Sequence, residues 1–216
     1  MQIAVLGAGT MGQGIAQVSS MAGHDVWIRD IEDDIVEGAL TSIAETLETG
    51  VELGKVREST AAETMDRLTG TTDLETAVAD ADLVIEAVPE DIDLKQTTAQ
   101  AVEAAVDTDA VIASNTSSLS LTEIANAVDH PERVIGLHFF NPAHLMQLVE
   151  IVVAEQTSEE TVAFAHEFVD DIGKTSIEVS DSPGFASSRL GASLGIEAMR
   201  MLEEGVASPR DIDTAM

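Results

Sequence analysis

A glycine-rich segment near the N-terminus constrains the fold more than any other feature of this chain. Gly7-Ala8-Gly9-Thr10-Met11-Gly12 fits the pattern G-x-G-x-x-G, follows the apolar run from Ile3 to Leu6 and precedes a stretch of helical periodicity. In such a turn the first glycine permits the tight bend, the second lets a pyrophosphate approach the backbone, and the third allows close helix packing. The context predicts a Rossmann βαβ unit whose helix N-terminus binds phosphate.

The acid that follows the next strand predicts which dinucleotide is bound. Residues 24–28 form a second short strand-like run, which ends at Arg29-Asp30. A carboxylate in this position accepts hydrogen bonds from the adenosine ribose and repels a 2′-phosphate, so Asp30 favours NAD over NADP. Arg29 slightly weakens that preference, because a neighbouring cation attracts phosphate. The alternative is a glycine turn that binds no ligand.

Apolar runs and helical periods alternate along most of the chain. This alternation predicts an α/β, Rossmann-type fold with a doubly wound, mostly parallel sheet and helices on both faces. Two consecutive helical segments around Gly54-Lys55 predict a helical-hairpin insertion instead of a single crossover helix. The further predicted strands are 83–85, 110–113 and 134–138, and the predicted helices are 11–22, 32–52, 58–67 and 92–105.

The pattern changes at the turn-forming sequence Asp181-Ser182-Pro183-Gly184. The residues 185–204 then favour one long helix, and Ser208-Pro209 favours the start of a short one, because serine caps a helix and proline fits its first turn. A long helix beside a finished α/β unit predicts the beginning of an all-α domain. We therefore divide the chain into an NAD-binding Rossmann domain at 1–182 and the start of a helical C-terminal domain at 183–216.

The charge balance excludes two classes of partner. The chain has 40 acidic and 10 basic residues, which gives a formal net charge of -30. Nucleic acid and anionic membrane surfaces are repelled by such a charge, so we expect neither as a partner. The acids are spread through periodic, apolar-containing segments, which argues against a disordered acidic tail. We interpret them as the acidic surface of a folded halophilic protein.

Cysteine usage and the N-terminal residues limit the chemistry and the compartment. The chain has no cysteine, so it has neither a disulfide nor a thiolate metal site, and we expect no metal. The first residues, MQIAVLG, enter a strand without a charged n-region or a long apolar h-region. We expect no signal peptide and no transmembrane span, and therefore a cytoplasmic protein.

The segment from Ala113 to Val153 places polar groups among apolar ones. His138 lies in one apolar strand-like run and Glu150 in another, and Asn141-Pro142 forms a turn that can bring the two runs together. Buried polar groups are costly unless paired, and a carboxylate on one imidazole nitrogen orients a general base that titrates near neutral pH. The alternative is a core histidine bonded to a backbone carbonyl. A hydroxyl cluster precedes them at a predicted strand end, where open α/β sheets bind ligands: Ser114, Thr116, Ser117 and Ser118.

Five motifs occur in order along the chain: GAGTMG, EAVPE, ASNTSSL, GLHFFNP and LVE. In this combination the sequence resembles the L-3-hydroxyacyl-CoA dehydrogenases, including the 3-hydroxybutyryl-CoA dehydrogenases, over essentially its whole length. The resemblance implies an NAD-dependent oxidoreductase of fatty acid metabolism and β-oxidation. Its substrate is then a short-chain 3-hydroxyacyl-CoA, oxidised at the 3-hydroxyl to the 3-oxoacyl-CoA, or the reverse.

The resemblance also implies roles for individual residues. It makes His138 the catalytic base, Glu150 its partner acid and Ser117 the residue that hydrogen-bonds the substrate oxygen. Glu90 and Lys95 match residues on the nicotinamide side of the cofactor, and Lys55 resembles, with a looser local match, the lysine that meets the CoA phosphates. The predicted cofactor set is Gly7, Gly9, Thr10, Met11, Gly12, Asp30, Glu90, Lys95 and Asn115, and the predicted substrate set is Ser117, Lys55 and Asn141.

The chain departs from the family pattern in two ways. The family has an asparagine that helps to position the substrate where this chain has Ser188, in SPGFASSRL, which predicts a looser or water-bridged site. The family also continues well beyond the position of Met216, through helices that form most of its homodimer interface and close over the acyl chain. We expect a truncated form, a fragment or an unusually short member of the family, in which most of that interface is missing.

Two alternative functions remain open at this point. The first is a truncated dinucleotide-binding module with little or no catalysis. The second is a related hydroxyacid dehydrogenase that acts on a free acid.

Overall fold

One eight-stranded sheet forms the centre of the molecule in the computed structural model, which describes residues 1–216. The strands are β1 Gln2–Leu6, β2 Asp25–Arg29, β3 Leu68–Thr71, β4 Leu83–Glu86, β5 Val111–Ser114, β6 Val134–Phe139, β7 Leu148–Val153 and β8 Thr175–Ser180. Their order across the sheet is β3-β2-β1-β4-β5-β6-β7-β8. Every neighbouring pair is parallel except β6 and β7, which are antiparallel. The predicted doubly wound, mostly parallel sheet is confirmed.

Helices cover both faces of the sheet. Along β1, Ile3 and Val5 belong to the apolar core on one face, and Ala4 and Leu6 belong to the core on the other. A strand buried on both faces has a continuous apolar sequence, which is why β1 was recognisable without alternation. The helices are α1 Thr10–Met21, α2 Asp33–Glu52, α3 Glu58–Asp66, α4 Leu74–Val78, α5 Ile92–Glu103, α6 Leu121–Ala125, α7 Glu159–Asp171, α8 Ser187–Glu203 and α9 Pro209–Ala215, with a 3-10 turn at Pro131–Arg133.

The predicted helical hairpin is present as α2 and α3, joined by a loop in which Gly54 has a φ of +65°. The hairpin packs closely on β3. A side chain at Gly70 of β3 would overlap the Val36 side chain of α2, so this strand needs a glycine at its centre. A short strand with a central glycine has little apolar signal, and the sequence analysis therefore missed β3.

The chain after the sheet forms the two predicted helices. The first, α8, begins at Ser187, two residues later than predicted, because Phe185 is buried with a φ of +46° and does not join the helix. The second, α9, is capped by Ser208, whose hydroxyl accepts a hydrogen bond from the Asp211 N–H. None of the residues of α8 is buried. No helix of the chain combines the length and the apolar character needed to cross a membrane.

Candidate active site

The carboxyl ends of the central parallel strands share one edge of the sheet. From β1 the sheet continues in one direction through β2 and β3 and in the other through β4, β5 and β6. The turns after β1 and β4 therefore diverge to opposite faces and open a crevice between them, which is where open α/β sheets bind ligands. The predicted cofactor and catalytic residues lie along this edge, on the strand ends, on the loops after them and on the helices that these loops lead into.

The glycine-rich turn after β1 fits a pyrophosphate. Gly7 has a φ of +101°, and a side chain there would stand 2.6 Å from the carbonyl oxygen of Ala87. A side chain at Gly12 would overlap the Gly7 carbonyl, whereas Gly9 faces open space. Gly9 is also the N-cap of α1 and provides no capping side chain. The first N–H groups of α1 therefore point into an open cradle that suits a phosphate.

Asp30 fixes the end of β2 against this turn. Its Oδ2 accepts a 2.7 Å hydrogen bond from the Ala8 N–H, and its Oδ1 accepts one of 2.7 Å from the Ile31 N–H. The neighbouring Arg29 donates from Nε to the Thr72 carbonyl at 3.1 Å. A cleft of about 650 Å³ is lined by Gly9, Asp30 and Val88. Its glycine cradle and the Asp30 carboxylate fit NAD.

A buried ion pair supports the loop after β4. Lys95 on α5 is 1% exposed, and its Nζ lies 2.8 Å from Glu86 Oε1 at the end of β4. Ser114 at the end of β5 donates to Glu86 Oε2 at 2.7 Å. The Lys95 ammonium also donates to the Val88 carbonyl at 3.3 Å and lies 3.5 Å from Glu90 Oε2. Lys95 is thus buried behind Val88, which lines the cleft, and pairs with both Glu86 and Glu90.

Glu90 connects this pair to the hydroxyl cluster. Its Oε1 accepts hydrogen bonds from the Thr116 hydroxyl at 2.7 Å and from the N–H groups of Ser117 and Ser118 at 2.9 and 3.1 Å. Burial raises the pKa of Glu90, but these hydrogen bonds and the Lys95 charge outweigh it and leave the pKa below its ordinary value. The Ser117 backbone is therefore fixed while its side chain remains exposed. That hydroxyl is free to bind a ligand.

His138 and Glu150 are direct partners across the antiparallel pair β6–β7. Residues opposite each other on neighbouring strands point to the same face, so the two side chains meet. His138 Nδ1 lies 2.7 Å from Glu150 Oε2, and the residues are 5% and 0% exposed. The imidazole is flanked by Phe140 and Phe185, with ring centroids 4.6 and 5.7 Å away. The carboxylate holds the proton on Nδ1 and leaves Nε2 as the nitrogen that can accept one.

Glu150 is itself held by the start of α8. Its Oε1 accepts hydrogen bonds from the N–H groups of Ala186 and Ser187 at 3.1 and 2.8 Å. Its Oε2 accepts a second bond, from the Ser187 hydroxyl, at 2.8 Å. Burial raises the pKa of Glu150, but the hydrogen bonds from His138 and Ser187 outweigh it, so the pKa lies below its ordinary value. The sequence analysis missed Ser187 and selected its neighbour Ser188, which lies exposed in the first turn of α8.

The remaining predicted residues differ in whether they are buried and in whether they border a cavity. Asn115 is buried, and its Oδ1 accepts a 2.9 Å bond from the Phe139 N–H, which ties the end of β5 to β6. Asn141 is exposed on the loop after β6 and borders a second, polar pocket of about 150 Å³ between α1 and α2. Thr10 faces both cavities. Lys55 is exposed in the hairpin loop and borders neither.

The dinucleotide cleft lies at the switch point of a doubly wound sheet, and the histidine–carboxylate pair lies on the same edge. These two features are typical of the Rossmann-type dehydrogenases. The family model for the 3-hydroxyacyl-CoA dehydrogenase NAD binding domain matches residues 2–182. The family model for the 3-hydroxyacyl-CoA dehydrogenase C-terminal domain matches residues 184–216. The chain belongs to the 3-hydroxyacyl-CoA dehydrogenase family, whose members are NAD-dependent oxidoreductases. The resemblance seen in the motifs is confirmed.

Individual relatives agree with this assignment. The chain is 38% identical to the 3-hydroxybutyryl-CoA dehydrogenase of Clostridioides difficile, over 100% of its own length and 76% of that protein. It is 40% identical to the probable 3-hydroxybutyryl-CoA dehydrogenase of Bacillus subtilis, over 100% of its length and 75% of that protein. The crystal structure of (S)-3-hydroxybutyryl-CoA dehydrogenase from Ralstonia eutropha superposes with a TM-score of 0.93 at 38% identity, covering 97% of this chain and 74% of that one.

Proposed function

We propose that the chain interconverts short-chain 3-hydroxyacyl-CoA and 3-oxoacyl-CoA with NAD as the cofactor. The observation that carries the proposal is the buried His138–Glu150 pair, joined at 2.7 Å on the same sheet edge as the dinucleotide cleft. The names of the relatives support the acyl-CoA ester as the substrate class.

The residues of the edge divide the work of the reaction. His138 Nε2 takes the proton of the 3-hydroxyl, and Glu150 stabilises the imidazolium that forms. The exposed Ser117 hydroxyl donates a hydrogen bond to the same substrate oxygen and holds it near the base. NAD, when bound, accepts the hydride from C3. In the reverse direction the protonated His138 returns its proton to the oxygen.

Asp30 is the residue that selects the cofactor. Its carboxylate lies at the end of the cleft that fits the adenosine ribose, where a 2′-phosphate would meet a negative charge. Arg29 is turned toward the Thr72 carbonyl, which limits its ability to offset that repulsion. Glu90, Asn115 and the glycine turn complete the cofactor site in this proposal.

We assign the substrate side to residues around the polar pocket and the start of α8. Asn141 borders the pocket, and Ser188 faces solvent next to Ser187, which contacts Glu150. Lys55, in the hairpin loop, provides a cation for the CoA phosphates. We also retain a division of the chain into 1–182 and 183–216, which the two family matches support by their limits.

The direct test is oxidation of NADH in the presence of acetoacetyl-CoA, run in molar KCl. We expect turnover with the thioester and little with free acetoacetate, whereas preference for the free acid would indicate the other kind of hydroxyacid dehydrogenase. His138→Gln should abolish turnover and leave NADH fluorescence titration nearly unchanged. His130→Gln is a matched control, because His130 is exposed beside the 3-10 turn that precedes β6. A folded wild-type protein that binds NADH without turnover would show that the chain is only a binding module.

A further inference from the structure

The four acceptor positions of the Glu150 carboxylate are all occupied. Oε1 receives the two backbone N–H groups of Ala186 and Ser187, and Oε2 receives His138 Nδ1 and the Ser187 hydroxyl. Each carboxylate oxygen accepts about two hydrogen bonds in its plane, so all four positions are filled. The residue is 0% exposed, so all four of its hydrogen bonds come from the protein.

The Ser187 hydroxyl shares one oxygen with the imidazole. It donates to Oε2 at 2.8 Å, and His138 Nδ1 lies 2.7 Å from the same atom. Two donors on one oxygen divide its negative charge, so the hydroxyl weakens the hold of Glu150 on an imidazolium. The same hydroxyl fixes the carboxylate plane, and through it the ring. Basicity and orientation of the histidine thus depend on one serine side chain.

The ion pair between His138 and Glu150 involves no third charged side chain within 4 Å. Glu150 is the ion-pair partner of His138, and no Lys or Arg forms an ion pair with Glu150. The remaining neighbours of the ring are Phe140 on the loop after β6 and Phe185 before α8. The donors to the carboxylate come from β6 and from the start of α8, while the carboxylate itself belongs to β7.

We propose that Ser187 is a positioning residue that sets both the orientation and the proton affinity of the His138–Glu150 pair. It acts through Glu150 and does not touch the substrate. The proposal rests on the proposed function, because its kinetic effect requires that His138 transfers a proton. Its effect on the hydrogen bond inside the pair is independent of turnover.

Ser187→Ala isolates the hydroxyl, because the backbone N–H to Oε1 remains. In proton NMR of the ligand-free protein, the downfield Nδ1–H signal, assigned by its loss in His138→Gln, should move further downfield as Oε2 loses its second donor. The acidic limb of kcat/KM for oxidation of 3-hydroxybutyryl-CoA should shift to higher pH by about half a unit. The maximal kcat should fall about 3- to 10-fold, the equivalent of one hydrogen bond, with the KM for NAD unchanged.

Two further variants complete the test. Ser187→Thr keeps a hydroxyl and should restore both the NMR signal and the pH profile, whereas Ser193→Ala, two turns along the exposed part of α8, should change neither. An Nδ1–H signal and a pH profile that are unchanged in Ser187→Ala would overturn the proposal, as would a folded threonine variant that behaves like alanine. Absence of turnover in the wild type would instead refute the proposed function, and the NMR comparison would still decide the role of Ser187.

Discussion

Lys95 and Glu86 form an ion pair that is withdrawn from water on both sides. The two residues are 1% and 4% exposed, and Lys95 Nζ lies 2.8 Å from Glu86 Oε1. Ser114 satisfies the second carboxylate oxygen. Removing one partner of such a pair strands the other charge in the interior, which is far more destabilising than removing both.

Lys95→Met should therefore lower the free energy of unfolding by about 3–5 kcal/mol. The double variant Glu86→Gln, Lys95→Met should recover part of that loss, because no uncompensated charge remains. Urea denaturation checks both values. Lys55→Met, at an exposed position, should change the stability by less than about 0.5 kcal/mol. A double variant that is as unstable as the two single losses added together would argue against a coupled pair.

Protonation of Asp181 should lower the free energy of unfolding at acidic pH. Burial raises its pKa, but hydrogen bonds from Thr122 and Ser120 outweigh it, so the folded-state pKa lies below the ordinary value. A depressed carboxyl pKa contributes stability that is present above the unfolded-state pKa and is lost as the pH falls through the folded-state pKa. Asp181→Asn has no proton to bind, and its stability should therefore decline less steeply than that of the wild type below about pH 4.

Chemical denaturation across pH 6 to 3 measures this difference. The comparison between variants matters more than the absolute curve, since protonation also relieves the self-repulsion of a chain with a net charge of -30. Asp213→Asn, at an exposed position on α9, should keep the wild-type slope. Equal slopes for all three proteins would contradict the role assigned to Asp181.

The same net charge predicts a response to salt. Screening lengths fall from about 10 Å at 0.1 M to about 3 Å at 1 M, so molar KCl should weaken the repulsion among the exposed acids. The melting temperature should rise between dilute buffer and 2 M KCl if the prediction of a halophilic protein from the net charge is correct. Calorimetry in KCl, with a neutral osmolyte as the control, measures the effect. A melting temperature that is flat or falling in KCl would require a different explanation for the acidic composition.

Replacing Asp30 should relax the choice of cofactor. Asp30→Ser removes the charge that opposes a 2′-phosphate and keeps an oxygen that can accept the Ala8 N–H. The ratio of kcat/KM for NADPH over NADH should rise at least about tenfold, equivalent to about 1.4 kcal/mol. Asp25→Ser at the opposite end of β2 is the control, because that residue is exposed and remote from the cleft. An unchanged ratio would assign the selectivity to another residue.

The sequence predicted the contact between His138 and Glu150 because both residues interrupt strongly apolar strands. His138 and Glu150 each needed a buried partner, and the turn at Asn141-Pro142 allowed the antiparallel register that places them opposite each other. The dinucleotide turn was predictable for a similar reason, since overlap at Gly12 and a positive φ at Gly7 leave no other residue type. These are local constraints, and they are visible in a single sequence.

Other parts of the site depend on contacts between distant segments. Ser187 reaches Glu150 only because α8 begins against β7, and nothing in SPGFASSRL distinguishes that serine from Ser188. Lys95 was placed correctly on a helix, but a lysine in a helical period is ordinarily solvated, so its burial against Glu86 was hidden. The strand β8 escaped prediction because most of its residues are exposed or half-buried and its sequence has no continuous apolar run.

The start of α8 is connected to the His138–Glu150 pair by hydrogen bonds. At the N-terminal end of the helix, two N–H groups and one hydroxyl donate hydrogen bonds to Glu150. The 17 residues of the helix extend about 25 Å from this end, and none of them is buried. Since Ala186 and Ser187 are continuous with α8, a displacement of this exposed helix would also displace the donors that hold the Glu150 carboxylate.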